Sequence, residues 1–109
     1  MCCFPCGMFG FLKRLFGAGV DLSQKISEGA VIIDVRSAGE YKSGHVQGSK
    51  NIPLNNIPAK ADSIKAWNKP VITCCASGMR SETAASILRN KGVDANNGGP
   101  WQKVDRLIV

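Results

Sequence analysis

The chain has 109 residues, a length that suits one domain with a single hydrophobic core. Its 14 Lys and Arg residues against 8 Asp and Glu residues give a net charge of +6, which attracts small anions. The cations are scattered singly, with Lys13-Arg14 as the one adjacent pair, so the sequence predicts no nucleic-acid groove. Five cysteines form two tight clusters instead of a spaced disulfide framework, which indicates a reducing compartment and a cytoplasmic protein.

Residues 1–19 are predicted to be a leader that precedes a domain at residues 20–109. The leader is uncharged until Lys13, which inverts the order of a secretory signal, and its apolar run is shorter than the roughly 20 residues of a membrane span. Its cysteines are Cys2, Cys3 and Cys6. Three interpretations stay open: a leader that packs loosely on the domain, contact with a membrane surface through acylated cysteines, or a metal site that lacks a fourth ligand nearby.

Helical and strand patterns alternate along the predicted domain. In chain order they are a helix at 21–26, a strand at 30–35, a helical turn at 37–43, an extended piece at 50–53, a helix from Asn55 or Asn56, a strand at 70–74, a helix at 81–91, a weak strand at 93–95 and a final segment at 104–109. Because residues 93–97 contain few apolar side chains, we expect that strand to be frayed. The alternation predicts an α/β domain whose parallel sheet binds ligands at the carboxyl ends of its strands.

The stretch TCCASGMRS, residues 73–81, joins the second convincing strand to the helix after it. A cysteine at such a junction lies near the positive end of the helix dipole and faces several loop amides, which lowers a thiol pKa into the range of about 3.5–7.5. Gly78 allows a tight turn, and Arg80 adds a planar cation for an oxyanion. The loop is therefore predicted to hold a tetrahedral anion such as phosphate, arsenate or thiosulfate.

Two adjacent cysteines compete for the role of nucleophile. Five residues lie between Cys74 and Arg80, which is the spacing of a cysteine phosphatase. The loop from Cys75 to Arg80, both included, has six residues, which is enough to enclose a sulfur atom attached to Cys75. The phosphatase pattern places its glycine three residues after the nucleophile, and Gly78 has that position relative to Cys75. Cys74 continues the strand, so the pleat directs its side chain. We expect Cys75 to be the nucleophile and Cys74 to be a buried strand residue, or else a resolving thiol.

Four motifs follow one another between residues 20 and 102. They are Asp34-Val35-Arg36-Ser37, the run EYKSGHVQGSKNIP at 40–53, the loop Cys75-Ala76-Ser77-Gly78-Met79-Arg80-Ser81, and Gly98-Gly99-x-Trp101. Together they resemble the rhodanese (thiosulfate sulfurtransferase-like) domain. The resemblance implies a rhodanese-like α/β fold of about five mainly parallel strands with helices on both faces. It also implies that Cys75 carries a persulfide, and that Arg80 and the amides of Ala76, Ser77, Gly78 and Met79 line the anion site.

The resemblance implies a reaction that needs no metal or cofactor. A Cys75 thiolate takes the outer sulfur of thiosulfate or another sulfane donor and passes it to cyanide or a thiol acceptor. Another protein is a candidate donor or acceptor. Two alternatives remain: a sulfur-carrier or regulatory module without turnover, and a phosphatase or arsenate reductase that uses Cys74.

The remaining polar residues of the motifs have either a supporting role at the site or a structural one. Asp34 is expected to accept hydrogen bonds at a strand end. Arg36 and Glu40 either shape the site or form an ion pair that ties the first strand to the loop. His45, the only histidine, is expected to be structural instead of a catalytic base. Ser81 is expected to cap the helix, with its hydroxyl within reach of the anion.

Overall fold

A computed structural model describes residues 21–108 of the chain. Its elements are α1 (Leu22–Ser27), β1 (Val31–Asp34), α2 (Ala38–Ser43), β2 (Lys50–Asn51), a 3-10 helix (Leu54–Asn56), α3 (Ile57–Ala66), β3 (Val71–Cys75), α4 (Met79–Asn90), β4 (Ala95–Pro100) and α5 (Trp101–Ile108). The predicted α/β class is confirmed, and the sheet has four strands where about five were expected.

The four strands are ordered β2-β1-β3-β4, and every neighbouring pair is parallel. Because the chain order reverses between β1 and β3, the carboxyl ends of these two strands form the crevice where such sheets bind ligands. Asp34 ends β1 and is in register with Cys74, one residue before the end of β3. The fold therefore brings the first motif and the cysteine loop to the same edge of the sheet.

The sheet separates two apolar clusters. The first lies against α3 and α4, and its members include Ile33, Ile57, Ile64, Val71, Cys75, Ala84 and Leu88. The second lies against α1 and α5, and its members include Leu22, Ile26, Ile32, Ile72, Cys74 and Val104. Because side chains alternate between the faces of a strand, the two adjacent cysteines belong to different clusters. Helices on both faces of the sheet are thus confirmed.

Helix α4 begins two residues earlier than expected. Its first residue is Met79, and Gly78 occupies the N-cap position with a φ of +102°. The prediction that Ser81 caps this helix is therefore wrong, because Ser81 is already its third residue. A left-handed glycine turns the chain into the helix without a side-chain cap, which leaves the Ser81 hydroxyl free for other hydrogen bonds.

The last strand is longer than its composition suggested. β4 begins at Ala95, where the weak strand predicted at 93–95 ends, and it pairs with β3 as far as Pro100, with one irregularity opposite Thr73–Cys75. A strand forms where fraying was expected because the polar side chains find tertiary partners. Asn96, for example, donates a hydrogen bond to the carbonyl of Val71 at 3.2 Å. A buried polar group that is hydrogen-bonded in this way does not oppose strand formation.

The C-terminal segment is helix α5, which packs tightly on the end of β4. A Cβ atom at Gly98 would lie 2.5 Å from a methyl of Val104 and 2.8 Å from a methyl of Ile72, so only glycine fits between the helix and the sheet. The first residue of this helix, Trp101, follows β4 directly. The sequence left the packing of the C-terminal segment open. In the structure this segment is a helix that covers one face of the sheet.

Several predictions concern residues that the structure does not describe. The proposed leader and its cysteines Cys2, Cys3 and Cys6 lie outside residues 21–108. Within that range no helix is long and apolar enough to cross a membrane. The same residues contain no group of three or more His, Cys, Asp or Glu side chains placed to hold a metal ion.

Candidate active site

The candidate site is the turn that connects β3 to α4. Cys75 ends the strand and is fully buried, whereas Ala76 and Ser77 in the turn are exposed. The turn passes close to the end of β4, since a Cβ at Gly78 would lie 3.2 Å from the Cα of Gly99. Glycine at this position therefore allows both the positive φ and the close approach of the turn to the end of β4.

Three hydrogen-bonding groups surround the sulfur of Cys75. The amides of Gly78 and Ser81 donate to Sγ at 3.0 and 3.4 Å, and the Ser81 Oγ lies 3.4 Å from it. Burial opposes ionisation of the thiol, but the hydroxyl and amide of Ser81 and the amides of Gly78 and Ser77 outweigh it. Together they hold the pKa of Cys75 below its usual value. The arrangement therefore favours a thiolate at the end of β3.

Cys74 has the opposite environment. Its side chain is fully buried on the other face of the sheet, in the cluster that contains Ile72 and Val104. Burial raises the pKa of Cys74 to about 12, the carboxylate of Asp34 adds to the rise, and the guanidinium of Arg36 opposes it. The side chain of Cys74 points away from the loop and the strand backbone separates it from Cys75, which favours the buried strand residue over the resolving thiol.

Asp34 and Arg36 form a buried ion pair under the same edge of the sheet. The Arg36 Nε and Nη2 donate to the two carboxylate oxygens at 2.7–3.0 Å, and both side chains are buried. The Arg36 Nη2 also donates to the Gly44 carbonyl at 2.6 Å, and the guanidinium lies 5.1 Å from the centre of the Trp101 ring. The pair thus joins β1 to the end of α2 and to α5.

Arg80, expected as an anion ligand, is paired with Glu40. Its Nη1 and Nη2 donate to the Glu40 Oε1 and Oε2 at 2.9 and 3.1 Å, and each side chain is 39% exposed. The expected pairing of Arg36 with Glu40 is therefore wrong. Glu40 forms a capping box with Ser37, and the helix that this box begins directs the carboxylate toward α4. The ion pair that reaches the loop thus comes from α2.

His45 contacts Tyr41 of α2. Its ring stacks on Tyr41 with the ring centres 3.8 Å apart, and its Nδ1 is 2.7 Å from the Tyr41 carbonyl. These contacts fasten the end of α2, which agrees with the structural role expected for this histidine.

We expect Glu40→Gln to remove a contribution to the stability of the fold that is present at neutral pH and lost in acid. Hydrogen bonds from Arg80, and then from Ser37, lower the pKa of Glu40 to about 2. A lowered folded-state pKa stabilises the fold above the unfolded-state pKa of about 4.3, and this contribution disappears as the pH falls from there to about 2. Urea unfolding at a series of pH values should therefore show a difference in unfolding free energy between the two proteins at neutral pH that vanishes near pH 2.

The matched control for this experiment is Glu82→Gln. It removes a carboxylate whose partner, Arg89, lies 3.2 Å away on the same helix, so this ion pair does not connect two elements. Glu40→Gln should produce the larger acid-range change. A difference between wild type and Glu40→Gln that does not change with pH would contradict the ion pair as the cause.

The sequence analysis missed Asn97, a residue of β4. Its Oδ1 accepts hydrogen bonds from the Ser81 Oγ at 2.7 Å and the Gly99 amide at 2.9 Å, and its Nδ2 donates to the Gly78 carbonyl at 3.1 Å. One side chain thus fastens the turn, the first turn of α4 and the end of β4. An asparagine directly before Gly98-Gly99 was a visible signal, but that pattern indicates a simple turn equally well.

The site can now be compared with known proteins. A family model described as a rhodanese-like domain matches residues 20–99, which include the strands β1 to β3 and the whole cysteine loop. The chain belongs to the rhodanese-like family. The resemblance seen in the motifs is thereby confirmed, and sulfur transfer is the type of activity that this family supports.

The relatives of this rhodanese-like chain include sulfurtransferases. It is 40% identical to the Bacillus subtilis protein YqhL over 63 residues, which are 58% of this chain and 49% of that protein. It is 37% identical to the thiosulfate sulfurtransferase GlpE of Pseudomonas fluorescens over 67 residues, 60% of this chain and 59% of that protein. A structure described as rhodanese with anions from E. coli is 32% identical and has a TM-score of 0.63, over 69% of this chain and 91% of that one. The match thus spans about half of YqhL and less than two thirds of GlpE.

Proposed function

We propose that the protein is a sulfurtransferase in which Cys75 carries a persulfide. The observation that supports this most strongly is the pair of amide donors to its sulfur, those of Gly78 and Ser81 at 3.0 and 3.4 Å, with the Ser81 hydroxyl oxygen also 3.4 Å away. Donors that stabilise a thiolate also stabilise the negative charge of a persulfide at the same place. The similarity to the thiosulfate sulfurtransferase GlpE agrees with this chemistry.

The proposed reaction has two steps. The Cys75 thiolate attacks the outer sulfur of thiosulfate, the S–S bond breaks, and sulfite leaves with the electron pair of that bond. A thiolate or cyanide then attacks the terminal sulfur of the Cys75 persulfide, which yields an acceptor persulfide or thiocyanate and restores the Cys75 thiolate. Neither step calls for a metal or a cofactor.

The proposal assigns different tasks to the other residues of the loop. Because Cys75 is fully buried, the exposed residues Ala76 and Ser77 must give way for a donor to reach the sulfur. Arg80 attracts the Cys75 thiolate electrostatically, but Glu40 occupies two of its donor nitrogens. We therefore assign the direct contacts with the anion to the loop amides, and to Arg80 the task of fixing the start of α4 against α2.

Mass spectrometry of the intact and digested protein tests the proposal. Incubation with thiosulfate should add about 32 Da, one sulfur atom, to the peptide that contains Cys75, and later addition of cyanide should remove it. Fragmentation of that peptide assigns the adduct to Cys75 or Cys74. If neither thiosulfate nor any other sulfane donor loads Cys75, the proposed function is wrong.

A sulfur carrier without turnover of its own is the second candidate. It is favoured by the engagement of Arg80 with Glu40, which leaves this cation less available to a small anionic donor. A carrier would be loaded by a protein persulfide but would release little thiocyanate from thiosulfate and cyanide. Steady-state formation of thiocyanate therefore separates the two candidates. A phosphatase that uses Cys74 is not supported, since that thiol is buried and has a pKa of about 12.

A further inference from the structure

The Ser81 hydroxyl lies between two neighbours, either of which could accept its single proton. The Ser81 Oγ lies 2.7 Å from the Asn97 Oδ1 and 3.4 Å from the Cys75 Sγ. An amide oxygen only accepts hydrogen bonds, and 2.7 Å is the usual O–H···O distance, so the Ser81 proton points to Asn97. A hydroxyl donates a single proton. In this arrangement its oxygen therefore presents a lone pair to Cys75.

The Ser81 hydroxyl in this orientation suits the neutral thiol better than the thiolate, in contrast to the loop amides. The Cys75 S–H can donate to the Ser81 oxygen while the Ser81 O–H donates to Asn97, so every polar group is satisfied. A thiolate instead needs donors, and a lone pair that faces it is unfavourable. When Cys75 gives its proton to water, the Ser81 hydroxyl must rotate from Asn97 to the sulfur. The Asn97 oxygen then keeps the hydrogen bond from the Gly99 amide at 2.9 Å.

We propose that Asn97 is a positioning residue, which holds the Ser81 hydroxyl away from Cys75 until the thiol has lost its proton. It thereby opposes the loop amides, which favour the thiolate. The benefit rests on the proposed function: the nucleophilicity of a thiolate falls with its pKa, with a Brønsted coefficient of about 0.4–0.5, and attack is fastest when that pKa is near the ambient pH. Asn97 keeps Cys75 from becoming too acidic to attack a sulfane donor well.

Other groups near Cys75 must stay constant in a test of this idea. The charged or titratable groups on the surrounding elements are Asp34 at the end of β1, Arg36 after it, Glu40 on α2, Cys74 on β3, Arg80 on α4 and Lys103 on α5, whose side chain lies near Gly99. Asn97→Leu leaves all of them in place, introduces no charge, and removes both polar groups of the side chain at similar size. Ser81→Ala removes the hydroxyl through which Asn97 is proposed to act.

The test is the pH dependence of alkylation of Cys75 by iodoacetamide in the full chain, read from the fragmented Cys75 peptide. With Ser81 present, Asn97→Leu should lower the midpoint by about 0.5–1 pH unit, because the freed hydroxyl turns to the sulfur. In the Ser81→Ala background the same substitution should leave the midpoint unchanged. A role limited to bracing the loop predicts the reverse sign, since loosened amides would raise the midpoint in both backgrounds.

A midpoint that rises with Asn97→Leu, or that shifts equally in both backgrounds, overturns the proposal. If Asn97→Leu does not fold, Asn97→Asp replaces it at the same size. Its carboxylate binds the Ser81 hydroxyl more strongly, so Asn97→Asp should raise the midpoint more when Ser81 is present than in the Ser81→Ala background. Equal rises in the two backgrounds overturn the proposal. Alkylation does not depend on sulfur loading. A protein that never forms a persulfide would therefore refute the proposed function and still report on Asn97.

Discussion

Cys75→Ser is expected to abolish sulfur loading from thiosulfate, whereas Cys74→Ala is expected to leave most of it. A serine hydroxyl stays protonated at neutral pH and cannot carry a persulfide, so the loss of thiocyanate formation should be about 10³-fold or more. Cys74 points into the cluster on the other face of the sheet and supplies nothing to the loop. The measurement is thiocyanate formation from thiosulfate and cyanide, together with the persulfide adduct by mass spectrometry.

Alanine is the better replacement for Cys74 because a buried serine would leave a hydroxyl without a hydrogen-bond partner. Circular dichroism should show that both variants are folded. If a folded Cys74→Ala protein is as inactive as Cys75→Ser, the assignment of the nucleophile is wrong. Hydrolysis of an aryl phosphate by the wild type would then point to the phosphatase alternative.

Arg36→Met is expected to lower the free energy of unfolding by about 3–5 kcal/mol, since it breaks a buried ion pair by removing one partner. Asp34 is fully buried and would keep a carboxylate with no cation beside it. The substitution also removes the hydrogen bond to the Gly44 carbonyl and the contact with the Trp101 ring. Urea unfolding at neutral pH measures the change through the midpoint and slope of the transition.

Two further variants show whether the unpaired carboxylate causes this loss. Adding Asp34→Asn to Arg36→Met should recover part of the stability, because the buried charge is removed. Arg89→Met breaks the exposed pair with Glu82 and should cost about 0–1 kcal/mol. If Arg36→Met costs no more than Arg89→Met, the buried pair is not the important stabilising contact that its geometry indicates.

The strands that the sequence predicted well are those whose own side chains supply the driving force. β1 and β3 are short runs of apolar and β-branched residues, which is the pattern typical of strands buried on both faces of a parallel sheet. β4 contains Asn96, Asn97 and two glycines, and its stability comes from partners on β3, α4 and α5. Those partners are distant in the chain, so the composition of the strand alone indicated fraying.

The same distinction applies to the candidate site. Cys75 could be preferred over Cys74 because the pleat of a strand and the position of Gly78 are local properties. The partner of Arg80 could not be predicted, since Glu40 is 40 residues away and reaches it only in the folded protein. Asn97 was missed for the same reason, because its role depends on where Ser81 lies in space.

The alternation of β3 also limits which changes the loop could accept during evolution. Residues Val71, Thr73 and Cys75 share one face of the strand, and Ile72 and Cys74 share the other. Deleting or inserting a single residue in the strand would exchange the two faces and send Cys75 to the side of α5. The face of the sheet on which the reactive sulfur lies therefore depends on whether the number of strand residues before Cys75 is odd or even. Length changes by one in β3 should be rarer among functional relatives than substitutions that keep the apolar pattern.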